Sequence, residues 1–213
     1  MIVRDRLGVL AGMTAAVAVT AGALIAFTAD AQTAATAQVA PAFTGTTAGG
    51  ETISLSDFEG KTVVLEWTNH DCPFVKKHYD AEFANMQGLQ TGAADEDTVW
   101  ISVISSAPGK QGHVSPAEAL ALSDARNAAP AHIILDESGD IGRAYAAKTT
   151  PHMFVIEPDG DLAYDGAIDS ISSARVSDIP KAENYVTAAL TAVGDGAVPE
   201  TSSTKPYGCS VKY

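Results

Sequence analysis

The sequence predicts an α/β fold: a central mixed β-sheet with helices on both faces. Three observations carry the prediction. Apolar, β-branched runs recur at Thr62–Trp67, Val99–Ile104 and His132–Asp136, and helix-forming stretches separate them. That alternation is the signature of parallel strands joined by helical crossovers. A fourth run, His152–Ile156, is followed by the tight turn Pro158-Asp159-Gly160-Asp161 and a partner strand at Leu162–Gly166. A hairpin of this kind makes the sheet mixed rather than purely parallel.

The chain opens with Arg4 and Arg6, an apolar run from Leu7 to Phe27, and Ala29-Asp30-Ala31 before Gln32. A charged start, an apolar middle and a small-residue cleavage pattern describe a secretory signal peptide over residues 1–31. An uncleaved anchor is the alternative, since the run is long enough to span a bilayer. Its Ala, Gly and Thr content makes it a weak span and favours cleavage after Ala31. Either way the folded part is expected to be exported, in a periplasm-type compartment.

Residues 32–50, rich in Ala, Thr, Gln and Gly, read as a flexible leader. One domain is expected over residues 51–194, a length that suits a single core, and a Pro/Gly/Ser/Thr-rich tail over residues 195–213. The net charge of the 213-residue chain is −13, and it is unchanged by loss of Arg4, Asp5, Arg6 and Asp30. That acidity excludes nucleic acid and anionic membrane surfaces as natural partners.

Thr52–Leu55 is a short strand, and Ser56–Lys61 turns into the run from Thr62 to Trp67, whose one polar residue is Glu66. Pro73 suits the first turn of a helix. Phe74, Val75, His78, Tyr79, Phe83 and Met86 continue it at helical spacing toward Gly88–Gly92. Ser115-Pro116-Ala117-Glu118 places Ser at the N-cap, Pro at N1 and Glu at N3 of a second helix. A short helix over Gly142–Lys148 and a closing helix over Pro180–Val193 complete the order.

Cys72 sits at the start of the helix that follows the central strand. Unpaired N–H groups and the helix dipole there stabilise a thiolate, the form that attacks disulfides and peroxides. The competing reading is an inert, buried cysteine. Two cysteines, Cys72 and Cys209, are too few for a disulfide scaffold, and no C-x-x-C or H-E-x-x-H pair is present. His70, His78 and His152 are too scattered to argue for a metal beside one cysteine, and no metal or other cofactor is expected. His70 is read as loop polarity and His152 as packing or thiolate tuning. Lys76 and Lys77 are read as a solvated helix face.

Gly60-Lys61-x-Val63-Val64-Leu65-x-Trp67 leading to Cys72-Pro73-Phe74-Val75-Lys76, with Thr150-Pro151 before a strand and the Asp159-Gly160 hairpin, resembles the thioredoxin superfamily. Within it the match is to the redoxin or peroxiredoxin-like branch, the alkyl hydroperoxide reductase/thiol-specific antioxidant family, over residues 43–193. The resemblance implies a thioredoxin-like fold and thiol oxidoreductase chemistry. It makes Cys72 the nucleophile, Pro151 the cis-proline facing it, and Glu66 the buried acid that relays a proton. Glu66 is read with equal weight as a strand-edge residue reaching solvent.

Two departures qualify the match. Val75 stands where a second cysteine would complete a dithiol motif. The P-x-x-x-T-x-x-C pattern of true peroxiredoxins is absent, since Thr68 precedes Cys72 by four residues and the proline is missing. Cys209 is therefore the candidate resolving cysteine, delivered by a mobile tail. A permanent Cys72–Cys209 staple, adding about 4 to 5 kcal/mol in the chain-entropy model, stands as the alternative. The expected partners are a thiol or disulfide protein, or a small peroxide, and a reductant. The non-enzymatic alternative is a binding or metal-carrier module on the same fold.

Overall fold

The computed structural model describes residues 38–213. The segment read as a signal peptide and the first part of the leader lie outside the described residues. In chain order the elements are β1 (Thr44–Thr46), β2 (Thr52–Ser54), β3 (Val63–Trp67), α1 (Pro73–His78), α2 (Asn85–Asp95) and β4 (Val99–Ile104). They continue with α3 (Pro116–Ala125), β5 (His132–Leu135), α4 (Asp140–Ala144), β6 (Thr149–Thr150), β7 (His152–Ile156) and β8 (Leu162–Gly166). Last come α5 (Tyr185–Gly194) and β9 (Cys209–Ser210), and 3-10 turns cover Leu55–Phe58 and Val176–Lys181.

The five-stranded sheet has the order β5-β4-β3-β7-β8. β3 pairs parallel with β4, β4 parallel with β5, and β7 antiparallel with both β3 and β8. The sheet is therefore mixed, as the hairpin required, and β3 lies at its centre with all five residues buried.

Alternation along the strands divides the core in two. One face joins Val63, Leu65, Trp67, Ile101, Val103, Ile134 and Phe154 to Ile141 and Tyr145. The opposite face joins Val64, Trp100, Met153 and Val155 to Val75 and Tyr79, to Met86, and to Val186 and Ala189 of α5. Helices thus cover both faces, and the site lies on the second. Among the described residues no helix is long and apolar enough to cross a membrane.

The helix after Cys72 is not continuous. It stops at His78, and Ala84, at φ +45°, redirects the chain into α2, which contains Gly88 and Gly92. Tyr79 is the physical reason: its hydroxyl is drawn to Glu66 at 2.9 Å, and Gln87 Nε2 caps its carbonyl at 3.1 Å. The closing helix begins at Tyr185, because Asn184 caps it by accepting from Thr187 N at 3.0 Å. Pro180 lies instead in the preceding 3-10 turn. The helix expected from Gly142 starts at Asp140, where Asp136 accepts from Gly142 N at 2.9 Å and from Ile141 N. The Ser115 cap forms as expected, with Glu118 Oε2 2.8 Å from Ser115 N.

Two segments are more integrated than their composition suggests. Residues 38–50, read as leader, bury Ala40, Phe43 and Ala48 and supply β1, which pairs antiparallel with β2. The tail is not loose either. From Ser202 it follows the edge of β8, with Asp165 N bonded to Ser202 O and Thr204 N to Asp165 O. It then pairs with β6 and ends with Tyr213 donating to Ala147 O at 2.9 Å, its ring under the Arg143 guanidinium. Backbone hydrogen bonds and aromatic anchors hold it where a hydrophobic count sees little.

Candidate functional site

Cys72 is the N-cap of α1. Asn69 builds the preceding turn: its side chain accepts from Asp71 N at 2.9 Å and its carbonyl from Cys72 N at 3.0 Å. Pro73 takes the first helical position, as its missing N–H allows. The thiol is fully buried, and Sγ lies 3.0 Å from the Thr150 carbonyl. The Thr150–Pro151 peptide that follows this carbonyl is cis.

Cys209 completes the arrangement. β9 pairs antiparallel with β6, which sets Cys209 opposite Thr150, and both thiols are free. Burial pushes the Cys72 pKa up, but hydrogen bonding outweighs it. The Cys209 side chain, the Val75 and Cys209 N–H groups and the Thr150 hydroxyl together leave Cys72 below an ordinary thiol. Cys209 is pushed up to about 11 by burial, and then by its bond to Cys72 and the charge there. The two thiols are thus displaced in opposite directions, Cys72 down and Cys209 up.

Val75, in the place of a dithiol motif's second cysteine, is buried in the apolar core. Glu66 is also fully buried, which removes the solvent-reaching reading. Tyr79 Oη, Gln90 Nε2, Trp100 Nε1 and Ser102 Oγ all donate to its carboxyl, at 2.9 to 3.2 Å. Burial, then the Glu66 charge, pushes the Tyr79 pKa far up, so its phenol remains a donor. Glu66 therefore lies beneath the site in a closed network, and no hydrogen bond joins it to Cys72 among the described residues.

His152 is on the opposite face of the sheet, stacked 4.4 Å from Phe154, and accepts from Lys148 N. Its role is packing. His70 sits on the loop before Cys72, 3.4 Å from Asp71. No group of three or more His, Cys, Asp or Glu suited to a metal occurs among the described residues.

Lys77 departs from its expected solvated position. Its side chain is fully buried, with Nζ 2.8 Å from Asp169 Oδ2, 3.3 Å from Ile171 O and 3.4 Å from Tyr207 Oη. Sequence reasoning took Thr150 only as the residue before the proline and missed Asp169, Tyr207 and Gly208. Only Gly208 carried a signal, as a glycine beside the second cysteine. Asp169 and Tyr207 carry none, since nothing local marks a partner so far away in the chain.

These features define the class: a thioredoxin-fold protein with its cysteine at a helix start, a cis-proline opposite, and a second thiol brought in from the C-terminal segment. The AhpC/TSA family model matches residues 36–165, more than half of the chain, and the protein belongs to that family, within the redoxin branch of the thioredoxin superfamily. Solved structures agree on the fold. An uncharacterized conserved protein from Geobacillus kaustophilus is similar at 23% identity and a TM-score of 0.68, covering 83% of this chain and 91% of that one. A hypothetical protein from Sinorhizobium meliloti 1021 is similar at 21% identity and a TM-score of 0.67, covering 83% and 93%. The thioredoxin domain of a thiol-disulfide oxidoreductase from Bacteroides vulgatus is similar at 19% identity and a TM-score of 0.50, covering 69% and 96%. No curated protein matches the sequence.

Proposed function

We propose that the protein is an exported thioredoxin-fold thiol oxidoreductase in which Cys72 is the nucleophile and Cys209 resolves it. The observation that carries the reading is the placement of Cys209 opposite Thr150, with the two thiols displaced oppositely in pKa. A nucleophile needs thiolate at working pH, and its partner must hold a proton until called upon.

With a disulfide substrate, the Cys72 thiolate attacks one sulfur, forms a mixed disulfide and releases the other sulfur as a thiolate. Cys209, giving its proton to that leaving group, then attacks Cys72. The second substrate sulfur leaves as a thiolate, so the products are a Cys72–Cys209 disulfide and a substrate that has gained two electrons and one proton. With a peroxide, Cys72 is oxidised to the sulfenic acid while the alcohol leaves. Cys209 then condenses with it, releasing water and giving the same disulfide. The absence of the P-x-x-x-T-x-x-C pattern favours disulfide exchange. A dithiol reductant restores both thiols.

Pro151 serves by presenting the Thr150 carbonyl to Cys72. Glu66 serves through Tyr79, which it holds beneath α1. Export rests on the N-terminal segment read above.

One observation favours a second reading. Cys72 is fully buried, as in a binding module stapled by a permanent Cys72–Cys209 disulfide. Thiol titration at graded dithiothreitol and glutathione ratios separates the two, with Cys72→Ser and Cys209→Ser alongside. A reversible couple with a potential above about −300 mV is expected. A bond that opens only on denaturation would leave the stapled module.

A further inference from the structure

Tyr207 lies two residues before Cys209 and reaches the helix that carries Cys72. Its hydroxyl donates to Asp169 Oδ1 and lies 3.4 Å from both Lys77 Nζ and His78 Nε2. Asn85 Nδ2 approaches His78 Nδ1 at 2.9 Å, which makes Nδ1 the acceptor and leaves Nε2 to donate to Tyr207. The phenol therefore accepts from a lysine and a histidine while donating to a carboxylate. Its ring packs edge-on against Phe74, with centroids 5.8 Å apart.

Lys77 and Asp169 are an ion pair buried beneath this residue, with side chains 0% and 4% exposed. Such a pair is favourable only when each remaining proton and lone pair is satisfied. Lys77 has three protons and three acceptors: Asp169, Ile171 O and Tyr207. Tyr207 fills the third place, so its position is tightly specified.

Only Gly208 separates this anchor from Cys209. At φ +141° it passes so close to Thr150 that an added Cβ would lie 2.1 Å from its carbonyl oxygen. The short link transmits the position of Tyr207 directly to Cys209.

We propose that Tyr207, seated on the buried Lys77–Asp169 pair, is the positioning residue that holds Cys209 against Cys72. The inference rests on Cys209 acting as the resolving thiol. It assigns to the pair a part in the rate of resolution rather than in the attack itself. Anchoring raises the effective concentration of Cys209 at Cys72, and loosening lowers it.

The test uses the full chain, reduced, with the aromatic disulfide 5,5′-dithiobis(2-nitrobenzoate) as probe. Attack by Cys72 releases one thionitrobenzoate and leaves the second on Cys72. Attack by Cys209 releases that second one and forms the internal disulfide. Cys209→Ser assigns the second release by losing it. In Tyr207→Phe, which keeps the ring on Phe74, the second release is expected to slow about tenfold relative to the first, both read at a pH where Cys72 is fully ionised. If Tyr207→Phe does not fold, Lys77→Met with Asp169→Leu removes the pair without orphaning a charge, and the same slowing is expected.

A Tyr207→Phe protein that is less stable but releases both groups at wild-type rates overturns the anchor and leaves the resolving role of Cys209 intact. A wild-type protein with no second release overturns that role, and the anchor falls with it.

Discussion

The Cys72 sulfur lies 3.0 Å from the carbonyl oxygen of Thr150, and Thr150 is also the residue that pairs with Cys209. One residue on the cis-proline loop therefore sets both thiols. In the thiol form of Cys72 its carbonyl accepts the S–H, and in the thiolate form its hydroxyl supports the charge. Removing Cys209 should disturb this balance. In Cys209→Ala the hydrogen bonds from that side chain are gone and burial remains, so the Cys72 pKa is expected to rise. Thiolate absorbance near 240 nm against pH checks this, and an unchanged midpoint would refute it.

Alkylation should separate the two thiols. Iodoacetamide is expected to modify Cys72 at a pH below that of an ordinary thiol, while Cys209 resists until about pH 11. Peptide mapping after short exposures at graded pH shows the order, and Cys209 reacting first would contradict the assignment.

Gly208 is expected to tolerate no side chain. Gly208→Ala would meet Thr150 O at 2.1 Å and hold alanine at φ +141°, so β9 must lift from β6. A loss of about 1 to 3 kcal/mol in urea unfolding is expected, with slower internal disulfide formation.

Glu66 holds four donors in a buried network. Glu66→Ala leaves Tyr79, Gln90, Trp100 and Ser102 without their acceptor and is expected to cost about 3 kcal/mol or more. Glu66→Gln keeps an acceptor and should cost less. Equal losses in denaturant titration would show that the hydrogen bonds matter little.

Acid stability should follow His78 and His152. Burial first lowers each to about 4, Asp169 opposing and Lys77 adding to the effect at His78. Unfolded histidines take up protons near pH 6.5, and the folded ones do not until about 4. Stability is therefore full above pH 6.5 and falls as pH drops toward 4, by roughly 3 kcal/mol for each. A double His78→Gln, His152→Gln variant should lose this slope in unfolding measured from pH 7 to 4.

The sheet was legible because its strands are short apolar runs with clear turns between them, and β4 falls on Val99–Ile104 as expected. Cys72 and Pro151 were legible because each is a local exception, a cysteine before a proline-led helix and a proline before a buried strand. The break between α1 and α2 was not legible. Apolar spacing continues through Tyr79 and Phe83, and what stops the helix is a bond to Glu66 in another element. Lys77 was misread for the same reason. A lysine on a helix reads as solvated until a distant aspartate and tyrosine are placed beside it. Tail composition likewise underestimated order that comes from backbone pairing.

The β6–β9 pairing has a consequence for how the chain is made. Cys72 leaves the ribosome well before Cys209, since 137 positions separate them (209 − 72). Throughout that interval the Cys72 thiol lacks the one other cysteine of the 213-residue chain. The pairing of the two cysteines thus waits on β9. A chain clipped between β8 and β9 would keep all five strands of the central sheet and leave Cys72 without the cover that Cys209 provides.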